Sequence, residues 1–245
     1  MCPLKYYYSR VLKLPAPATP SLHLGKAVHA GIEEANRLQF RGRKVLRDEV
    51  LHAFHQAYDE LQEADPVEWK GEDQPAKLRE TGERVLVAYL DSDVSTSPDP
   101  PLGVEVQLSM DVDELDLRLV GFVDRVNRDG TAVDYKTVAA SPSVKNEIWL
   151  HQLQLAAYHV LIEEATGVDC PGAELVFLVK TKTPKVVRAP VPPPEERERA
   201  RFWSLLRIVA EGIRAHRFHP QPGMHCSWCP YRDQCAKWSG KGEAA

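Results

Sequence analysis

Residues 121–137 read GFVDRVNRDGTAVDYKT, two runs of strand-forming residues on either side of a polar segment. A three-residue hairpin loop usually ends on a residue in the left-handed conformation, and Gly130 suits that position. With residues 128–130 as the loop, Asn127 faces Thr131 across the turn. The stretch therefore predicts a β-hairpin whose register can be counted from its loop.

Two aspartates take facing positions in this hairpin. Antiparallel register places Asp124 opposite Asp134, with the side chains about 5 Å apart on one face. Lys136 shares that face, whereas Tyr135 points away because side chains alternate along a strand. Two facing carboxylates repel each other, so we expect one to be protonated or a cation to lie between them. A two-residue loop would separate the acids, and a solvated hairpin edge is the alternative interpretation.

The composition is that of a globular protein. The chain has 245 residues, of which 43% are hydrophobic, enough for a full core. No run of 18 apolar residues occurs, and the N-terminus MCPLKYYYSR lacks an apolar signal-peptide core. We therefore expect an intracellular, cytoplasmic protein with no membrane partner.

Basic residues are locally concentrated although the net charge is -4. Such patches on an acidic background can hold a phosphate backbone, but they also arise on ordinary solvated surfaces. The basic clusters are KYYYSRVLKL at 5–14, RLQFRGRKVLR at 37–47 and KTKTPKVVR at 180–188.

The order of the predicted elements indicates an α/β fold with a mixed sheet flanked by helices. Helical periodicity comes first, with Ser21 as the capping residue of the first long helix. Alternating patterns then predict strands, a crossing helix, a second hairpin and a last long helix. The predicted helices are 21–40, 45–64, 75–92, 146–166 and 195–218, and the predicted strands are 104–112, 115–126, 131–137, 174–180 and 185–191.

Three cysteines near the C-terminus have the spacing of metal ligands. Cys226, Cys229 and Cys235 form C-x2-C-x5-C, which is an implausible disulfide framework for an intracellular chain. They need a fourth ligand, and Cys2 and Cys170 are the sulfur candidates. Spacing alone does not distinguish an iron-sulfur cluster from zinc, which His225 could also bind.

An ordered set of motifs resembles the PD-(D/E)XK nuclease superfamily. The resemblance is greatest to its RecB-like branch, which includes CRISPR-associated exonucleases and the nuclease domains of bacterial helicase-nuclease machines. It implies a restriction-endonuclease-like fold. The motifs are LGKAVH at 24–29, GFVDR at 121–125, DYK at 134–136, QLAAY at 154–158 and the cysteines.

The resemblance implies one domain over residues 1–245. Residues 1–100 would be its mostly helical part, residues 101–192 its catalytic sheet and crossing helix, and residues 193–245 its long helix and iron-sulfur segment. The chain contains no GxxxxGK[ST] phosphate loop, so an ATP-driven motor is not expected.

The resemblance also implies a role for each matching residue. Asp124 and Asp134 correspond to the two metal-binding acids, and Lys136 to the lysine that orients or activates the attacking water. The further metal ligands would be His29 and the carbonyl of Tyr135. The remaining catalytic positions, on the helix after the active-site sheet, would be Gln154 and Tyr158.

Several of these residues have simpler interpretations. On an apolar helix, a histidine such as His29 is more often packed in a core than bound to metal, and a tyrosine with a polar neighbour is usually a core residue. Arg125 points to the opposite face from Asp124 and is interpreted as structural. Glu105 is either an additional acid near the metal or an ordinary charge on an outer strand.

The resemblance selects Cys2 as the fourth cysteine ligand. In iron-sulfur members of this branch, one cysteine precedes the helical region and three close the domain, together holding a 4Fe-4S cluster. Zinc is the less favoured occupant. Cys170 is interpreted as a small core residue.

The predicted function is a magnesium- or manganese-dependent deoxyribonuclease, an exonuclease on single-stranded ends in DNA repair, recombination or CRISPR-related processing. The expected partners are DNA, preferably single-stranded, and a helicase or another repair or CRISPR subunit. The first alternative is a non-catalytic iron-sulfur DNA-binding module of a helicase-nuclease complex. A glycosidase using the facing aspartates is a further alternative, but it gives Lys136, His29 and the cysteines no role.

Overall fold

Five strands form one mixed sheet in the order β1-β2-β3-β4-β5. The computed structural model describes residues 2–64, 67, 69, 74–96 and 99–240, so the last five residues of the predicted domain lie outside the described residues. All neighbouring strands are antiparallel except β3 and β4, which are parallel. The strands are β1 (Gly103–Val112), β2 (Leu117–Val126), β3 (Ala132–Val138), β4 (Ala173–Val179) and β5 (Lys185–Val191).

Helices cover both faces of the sheet, which confirms the predicted α/β fold class. The helix α5 connects the parallel strands β3 and β4, as a crossover must. The helices are α1 (Pro3–Tyr6), α2 (Pro20–Phe40), α3 (Arg47–Ala64), α4 (Gln74–Leu90), α5 (Val144–Thr166), α6 (Glu196–Arg214) and α7 (Arg232–Lys237).

Two apolar cores fill the spaces between the sheet and the helices. On one face, α2, α3 and α4 pack against sheet residues that include Val133 and Tyr135. On the other face, α5 packs against Val123, Leu175 and Phe177. All seven residues of β4 are buried, since both cores pack against this strand.

The first long helix begins earlier than predicted. Its cap is Thr19, whose hydroxyl accepts the backbone N–H of Leu22 at 3.2 Å, and Pro20 takes the first helical position. Proline suits this position because its missing N–H would have no partner there. The prediction that Ser21 is the cap was therefore wrong by two residues.

Left-handed residues change two other predicted boundaries. A short 3-10 helix, Asp113–Leu115, ends on Asp116 at φ 46°, so β2 starts at Leu117 rather than at 115. The helix α6 ends at Arg214, and His216 follows at φ 50°, which stops the predicted helix before 218.

The N-terminal and C-terminal segments pack on each other. Tyr8, Tyr231 and Leu4 share a small core with cysteines from both segments. The Tyr231 hydroxyl donates to the carbonyl of Leu14 at 3.0 Å, and the Leu4 N–H donates to the carbonyl of His219 at 3.1 Å. The two ends of the described chain are thus held at one place in the fold.

Among the described residues, no helix has the length and the apolar composition that crossing a membrane requires.

Candidate active site

The two aspartates lie where β2 and β3 stop pairing. The ladder between these strands has two pairs, Arg125↔Val133 and Val126↔Ala132. This is the register counted from the sequence, so that prediction is confirmed. At the next position Asp124 Oδ2 accepts the backbone N–H of Tyr135 at 2.7 Å. The carboxylate takes the place of a strand carbonyl, and within the described chain no β2–β3 pair follows it.

Asp134 is surrounded by donors from β3 and α5. Only 3% of its surface is exposed. Its Oδ1 accepts Gln154 Nε2 at 2.8 Å and the Tyr158 hydroxyl at 3.1 Å. Lys136 Nζ lies 2.7 Å from Oδ2 and 3.3 Å from Gln154 Oε1. These contacts fix the orientation of the carboxylate, and the lysine charge compensates for its burial.

His29 projects from α2 toward the place where β2 and β3 stop pairing, which we call the fork. Its Nε2 lies 2.9 Å from the carbonyl oxygen of Tyr135, and its Nδ1 lies 3.8 Å from Asp124 Oδ2. A proton on Nε2 makes the first contact a hydrogen bond and leaves the lone pair on Nδ1, on the side of Asp124. The structure therefore brings together the predicted ligands from the helical part and from the hairpin.

Glu105 is a third carboxylate at this place. The β1–β2 ladder pairs Val104 with Arg125 and Val106 with Val123, but it skips Glu105 opposite Asp124. Glu105 has φ 49°, a left-handed conformation that is strained for a residue with a side chain. One ligand atom from each of His29, Glu105 and Asp124 lies within 4.8 Å of the other two.

The sequence left the position of Glu105 open because it gave no register for β1 against β2. The turn between those strands contains a 3-10 helix rather than a two-residue loop, so counting from the turn was not possible. The one sequence signal for a site role of Glu105 was the presence of an acidic residue on a predicted strand next to the hairpin.

The crowded acids have altered proton affinities. Burial raises the pKa of Glu105 to about 7, and the negative charge of Asp124 adds to this effect. Burial also raises the pKa of Asp124, against the opposing influence of His29, and the charge of Asp134 raises it further. Both shifts indicate that negative charge at this site lacks compensation.

An open cleft of about 580 Å³ contains all of these groups. Its walls are the N-terminal half of α2, the fork between β2 and β3, and one face of α5. The residues that line it are Ser21, Leu22, Gly25, Lys26, His29, Ala30, Glu33, Glu105, Phe122, Asp124, Asp134, Tyr135, Lys136, Thr137, Gln154 and Tyr158.

The donor set fits a hard divalent cation. It consists of carboxylates, a backbone carbonyl and one imidazole, and magnesium prefers such oxygen ligands, whereas manganese also tolerates imidazole. A cation between Glu105 and Asp124 would lower both pKa values, because its positive charge favours the ionised carboxylates that burial disfavours. A solvated hairpin edge, the alternative interpretation of the two aspartates, would not bring a histidine from α2 and an acid from β1 to the same carboxylate.

All four predicted cysteine ligands lie in the packed terminal segments. Cys2, Cys229 and Cys235 belong to one cluster with Tyr231. Burial raises the pKa of the Cys235 thiol, and the nearby sulfurs of Cys2, Cys226 and Cys229 add to this effect. Within the described part of the chain, no three of these sulfurs lie within 4.8 Å of one another.

Cys170 and Arg125 have structural surroundings. Cys170 is buried in the α5 core, and its thiol donates to the carbonyl of Gly172 at 3.3 Å. The Arg125 guanidinium donates to Asn36 Oδ1 at 2.9 Å and to Gln39 Oε1 at 2.6 Å, and only 3% of the residue is exposed. Arg125 thus anchors α2 to the hairpin, as its predicted structural role requires.

Comparison with solved structures supports the fold. The crystal structure of a "Putative exonuclease" from Eubacterium rectale superimposes with a TM-score of 0.60 at 11% identity, over 99% of this chain and 84% of that one. The crystal structure of SSO0001 gives a TM-score of only 0.41 at 15% identity, over 96% of this chain and 92% of that one.

Comparison with sequence families identifies the chain. None of the curated proteins compared with the sequence matches it. The model of the PD-(D/E)XK nuclease superfamily, in contrast, matches residues 1–236, nearly the whole sequence. The match includes α2, the hairpin, α5 and the C-terminal cysteines. The chain therefore belongs to the PD-(D/E)XK nuclease superfamily.

Proposed function

We propose that this nuclease is a divalent-metal-dependent deoxyribonuclease that acts as an exonuclease on single-stranded ends. The observation that carries the proposal is the meeting of His29, Glu105 and Asp124 within 4.8 Å, in one cleft with Asp134 and Lys136. The name of the Eubacterium rectale neighbour supports the choice of an exonuclease.

Magnesium or manganese is the proposed metal. The residues that would hold it are Asp124, Asp134, Glu105, His29 and the carbonyl of Tyr135. When bound, such an ion provides a hydroxide near neutral pH and compensates for the negative charge that develops on the phosphoryl oxygens. The hydrogen bond from the Tyr135 N–H holds the Asp124 carboxylate at the fork, so this proposed ligand is already positioned without metal.

Lys136 is the proposed contact to the attacking water or to the scissile phosphate. An ammonium group has three N–H donors. One donates to Gln154 Oε1 at 3.3 Å, and the ammonium group also forms an ion pair with Asp134 Oδ2 at 2.7 Å, so at least one N–H can still reach water or a phosphate oxygen. Partial exposure of the side chain gives that donor access to the cleft.

Gln154 and Tyr158 are proposed to act through Asp134. Both donate to Asp134 Oδ1, and Gln154 Nε2 also lies 2.7 Å from the Tyr158 hydroxyl. We therefore assign them to positioning of the metal-binding carboxylate rather than to contact with the reacting atoms. Partners that orient metal ligands commonly change metal affinity 10- to 100-fold when they are removed.

The terminal cysteines are proposed to hold one 4Fe-4S cluster. The packing of Cys2 with Cys229 and Cys235 supports this proposal, as does the proximity of Cys226 to Cys235. Hydrolysis of a phosphodiester transfers no electrons, so the cluster would join the two terminal segments rather than take part in the reaction. Zinc in the same place is the alternative.

The decisive experiment is incubation of end-labelled single-stranded and duplex DNA with magnesium, manganese or EDTA. We expect cleavage only with metal, and its loss in Asp134→Ala and Lys136→Ala while DNA binding largely remains. Lys136→Ala should still bind metal. Cleavage in EDTA, or full activity of Asp134→Ala, would exclude the proposed site, and metal-independent DNA binding without cleavage would support a non-catalytic module.

A further inference from the structure

Phe122 is a large apolar side chain on the wall of the catalytic cleft. It is 58% exposed, yet it shares that cleft with both aspartates. Single exposed hydrophobic residues are common on protein surfaces. Leu22, which is 50% exposed, lines the same cleft, but Phe122 is aromatic and lies two residues before Asp124.

The packing around Phe122 explains why it faces the cleft. Gly121 and Val123, its chain neighbours, turn toward α5: Val123 is buried there, and a Cβ on Gly121 would meet Leu161 at 2.6 Å. Because side chains alternate along a strand, Phe122 must project to the opposite face. Its partner in β1 is Gln107, which is itself exposed, so neither strand covers the ring.

Basic and polar groups lie on the α2 side of the same cleft. Lys26 and Ser21 belong to its lining. Lys180 is half-buried, and its Nζ donates to Ser21 Oγ at 3.3 Å, which holds a second ammonium group beside the first turn of α2. Lys26 in the lining and Lys180 beside Ser21 thus place positive charge at the α2 wall of the cleft whose lining also includes the Phe122 ring.

We infer that Phe122 is the platform on which the base beside the scissile phosphate stacks, and that Lys26 and Lys180 contact the phosphates of the same strand. This inference rests on the proposed function, because it specifies how the nuclease cleft holds its DNA. Groove-lining cations combined with an exposed ring are how proteins bind single strands without reading sequence.

The stacking contact selects single-stranded ends. In a duplex, even a terminal base with a free face is paired to the opposite strand, so reaching Phe122 inside the cleft would require unpairing. A base at a single-stranded end has no partner to leave and can stack on the ring directly. Every base has an aromatic face, so the contact is expected to tolerate all sequences.

An abasic-site scan tests the inference. Single-stranded oligonucleotides carry one abasic nucleotide at successive positions, and cleavage of the adjoining bond is measured as kcat and KM. At the stacking position, wild-type protein should lose about tenfold in kcat/KM, chiefly through KM. Phe122→Ala should show that loss on intact DNA and no further loss at the abasic position, while Phe122→Trp should restore the wild-type pattern.

Phe40→Ala is the matched control. Phe40 is 54% exposed and lies at the far end of α2, about 16 Å along the helix from His29. The Phe40→Ala variant removes a phenylalanine of similar exposure outside the cleft, so it should leave the abasic pattern unchanged. Because both rings are largely exposed, neither variant should fail to fold.

A binding arm separates this inference from the proposed function. The dissociation constant for the same oligonucleotides is measured in EDTA, where no hydrolysis is expected, and Phe122→Ala should weaken binding of intact single strands about tenfold. If that holds but wild-type protein never cleaves DNA, stacking stands and the proposed function fails. If wild-type protein cleaves DNA and Phe122→Ala matches Phe40→Ala in both arms, the stacking role is overturned. Absence of DNA binding by the wild-type protein would overturn both.

Discussion

Asp124 Oδ2 accepts the backbone N–H of Tyr135 at 2.7 Å, so a side chain completes the sheet where the strand carbonyl does not. The same carboxylate lies beside Glu105 and His29 at the proposed metal site. Asp124 thus supports the fork between β2 and β3 and is also a proposed metal ligand, and substitution can separate these two roles.

Asp124→Asn and Asp124→Ala should differ in stability but not in activity. The asparagine side-chain oxygen can still accept the Tyr135 N–H, whereas alanine leaves that buried donor without a partner. The cost of an unsatisfied buried donor is about 1–3 kcal/mol. We expect urea unfolding to place Asp124→Ala below Asp124→Asn by about this amount, with both variants inactive and weak in manganese binding. Equal stability of the two variants would contradict the structural duty of Asp124.

Tyr158→Phe should weaken metal binding although Tyr158 is not a proposed ligand. The hydroxyl donates to Asp134 Oδ1 at 3.1 Å and contacts Gln154, so its loss frees one side of the carboxylate. We expect metal affinity to fall about tenfold and cleavage at saturating metal to recover in part. The measurement is a manganese titration followed by activity.

Tyr89→Phe is the control for this prediction. Its hydroxyl is buried against Asn36 Oδ1 at 3.4 Å in the core between α2 and the sheet. The substitution also removes a buried tyrosine hydroxyl, but it should leave the metal titration unchanged. A shift of equal size in both variants would mean that the effect is general loosening of the core.

Metal-free protein should become less stable as the pH rises through the range of Glu105. The pKa of this carboxyl rises from 4.5 to about 7 on folding, so the folded state binds more protons than the unfolded state between these values. The free energy of unfolding therefore falls as the pH rises from about 4.5 to about 7 and levels off above. Asp124 acts in the same direction because burial raises its pKa.

Thermal unfolding in EDTA between pH 5 and 8 measures this effect. Glu105→Gln removes the ionisation, so the gain in thermal stability of this variant over wild-type protein should be larger at pH 8 than at pH 5. Magnesium should oppose the loss at pH 8, since a cation offsets the ionised carboxylates. A variant whose advantage does not depend on pH would show that Glu105 does not titrate in this range.

The hairpin was predictable because its loop determines its register. Gly130, at φ 90°, ends the loop, and the Asn127 N–H donates to the carbonyl of Thr131 at 2.9 Å, as counting from the turn requires. The predicted position of Asp124 opposite Asp134 then follows from local sequence, although the ladder ends one pair before it. The burial of Tyr135 against α2 follows from the alternation of side chains along the strand.

Features that depend on distant segments were not predictable in the same way. Glu105 reaches the site because of the β1–β2 register and its left-handed backbone, and neither has a local sequence signal. The contacts of Tyr158 and Gln154 with Asp134 depend on how α5 crosses the sheet. In the sequence, only the QLAAY motif and the spacing of four residues indicated a role for Gln154 and Tyr158.

Cys226→Ser should lose bound metal and stability together. The C-terminal segment is attached to the N-terminal segment through the small core that contains Cys2 and Tyr231, and a cluster bound by sulfurs from both segments would add a covalent connection. We expect protein purified without oxygen to be brown, with broad absorption near about 400 nm from iron-thiolate charge transfer. The variant should lose this absorption and unfold at lower temperature, and its nuclease activity should fall only as far as folding does.

Cys2→Ser and Cys170→Ser identify the fourth ligand. Cys2 lies among the C-terminal cysteines, whereas Cys170 lies in the α5 core, where its thiol donates to the carbonyl of Gly172. Metal analysis should therefore find the iron lost in Cys2→Ser and retained in Cys170→Ser, since a serine hydroxyl can replace the thiol as donor. Stoichiometric zinc in colourless wild-type protein would replace the iron-sulfur proposal with a zinc site. A cluster that persists in Cys2→Ser but not in Cys170→Ser would assign the fourth ligand to the sheet side of the molecule instead.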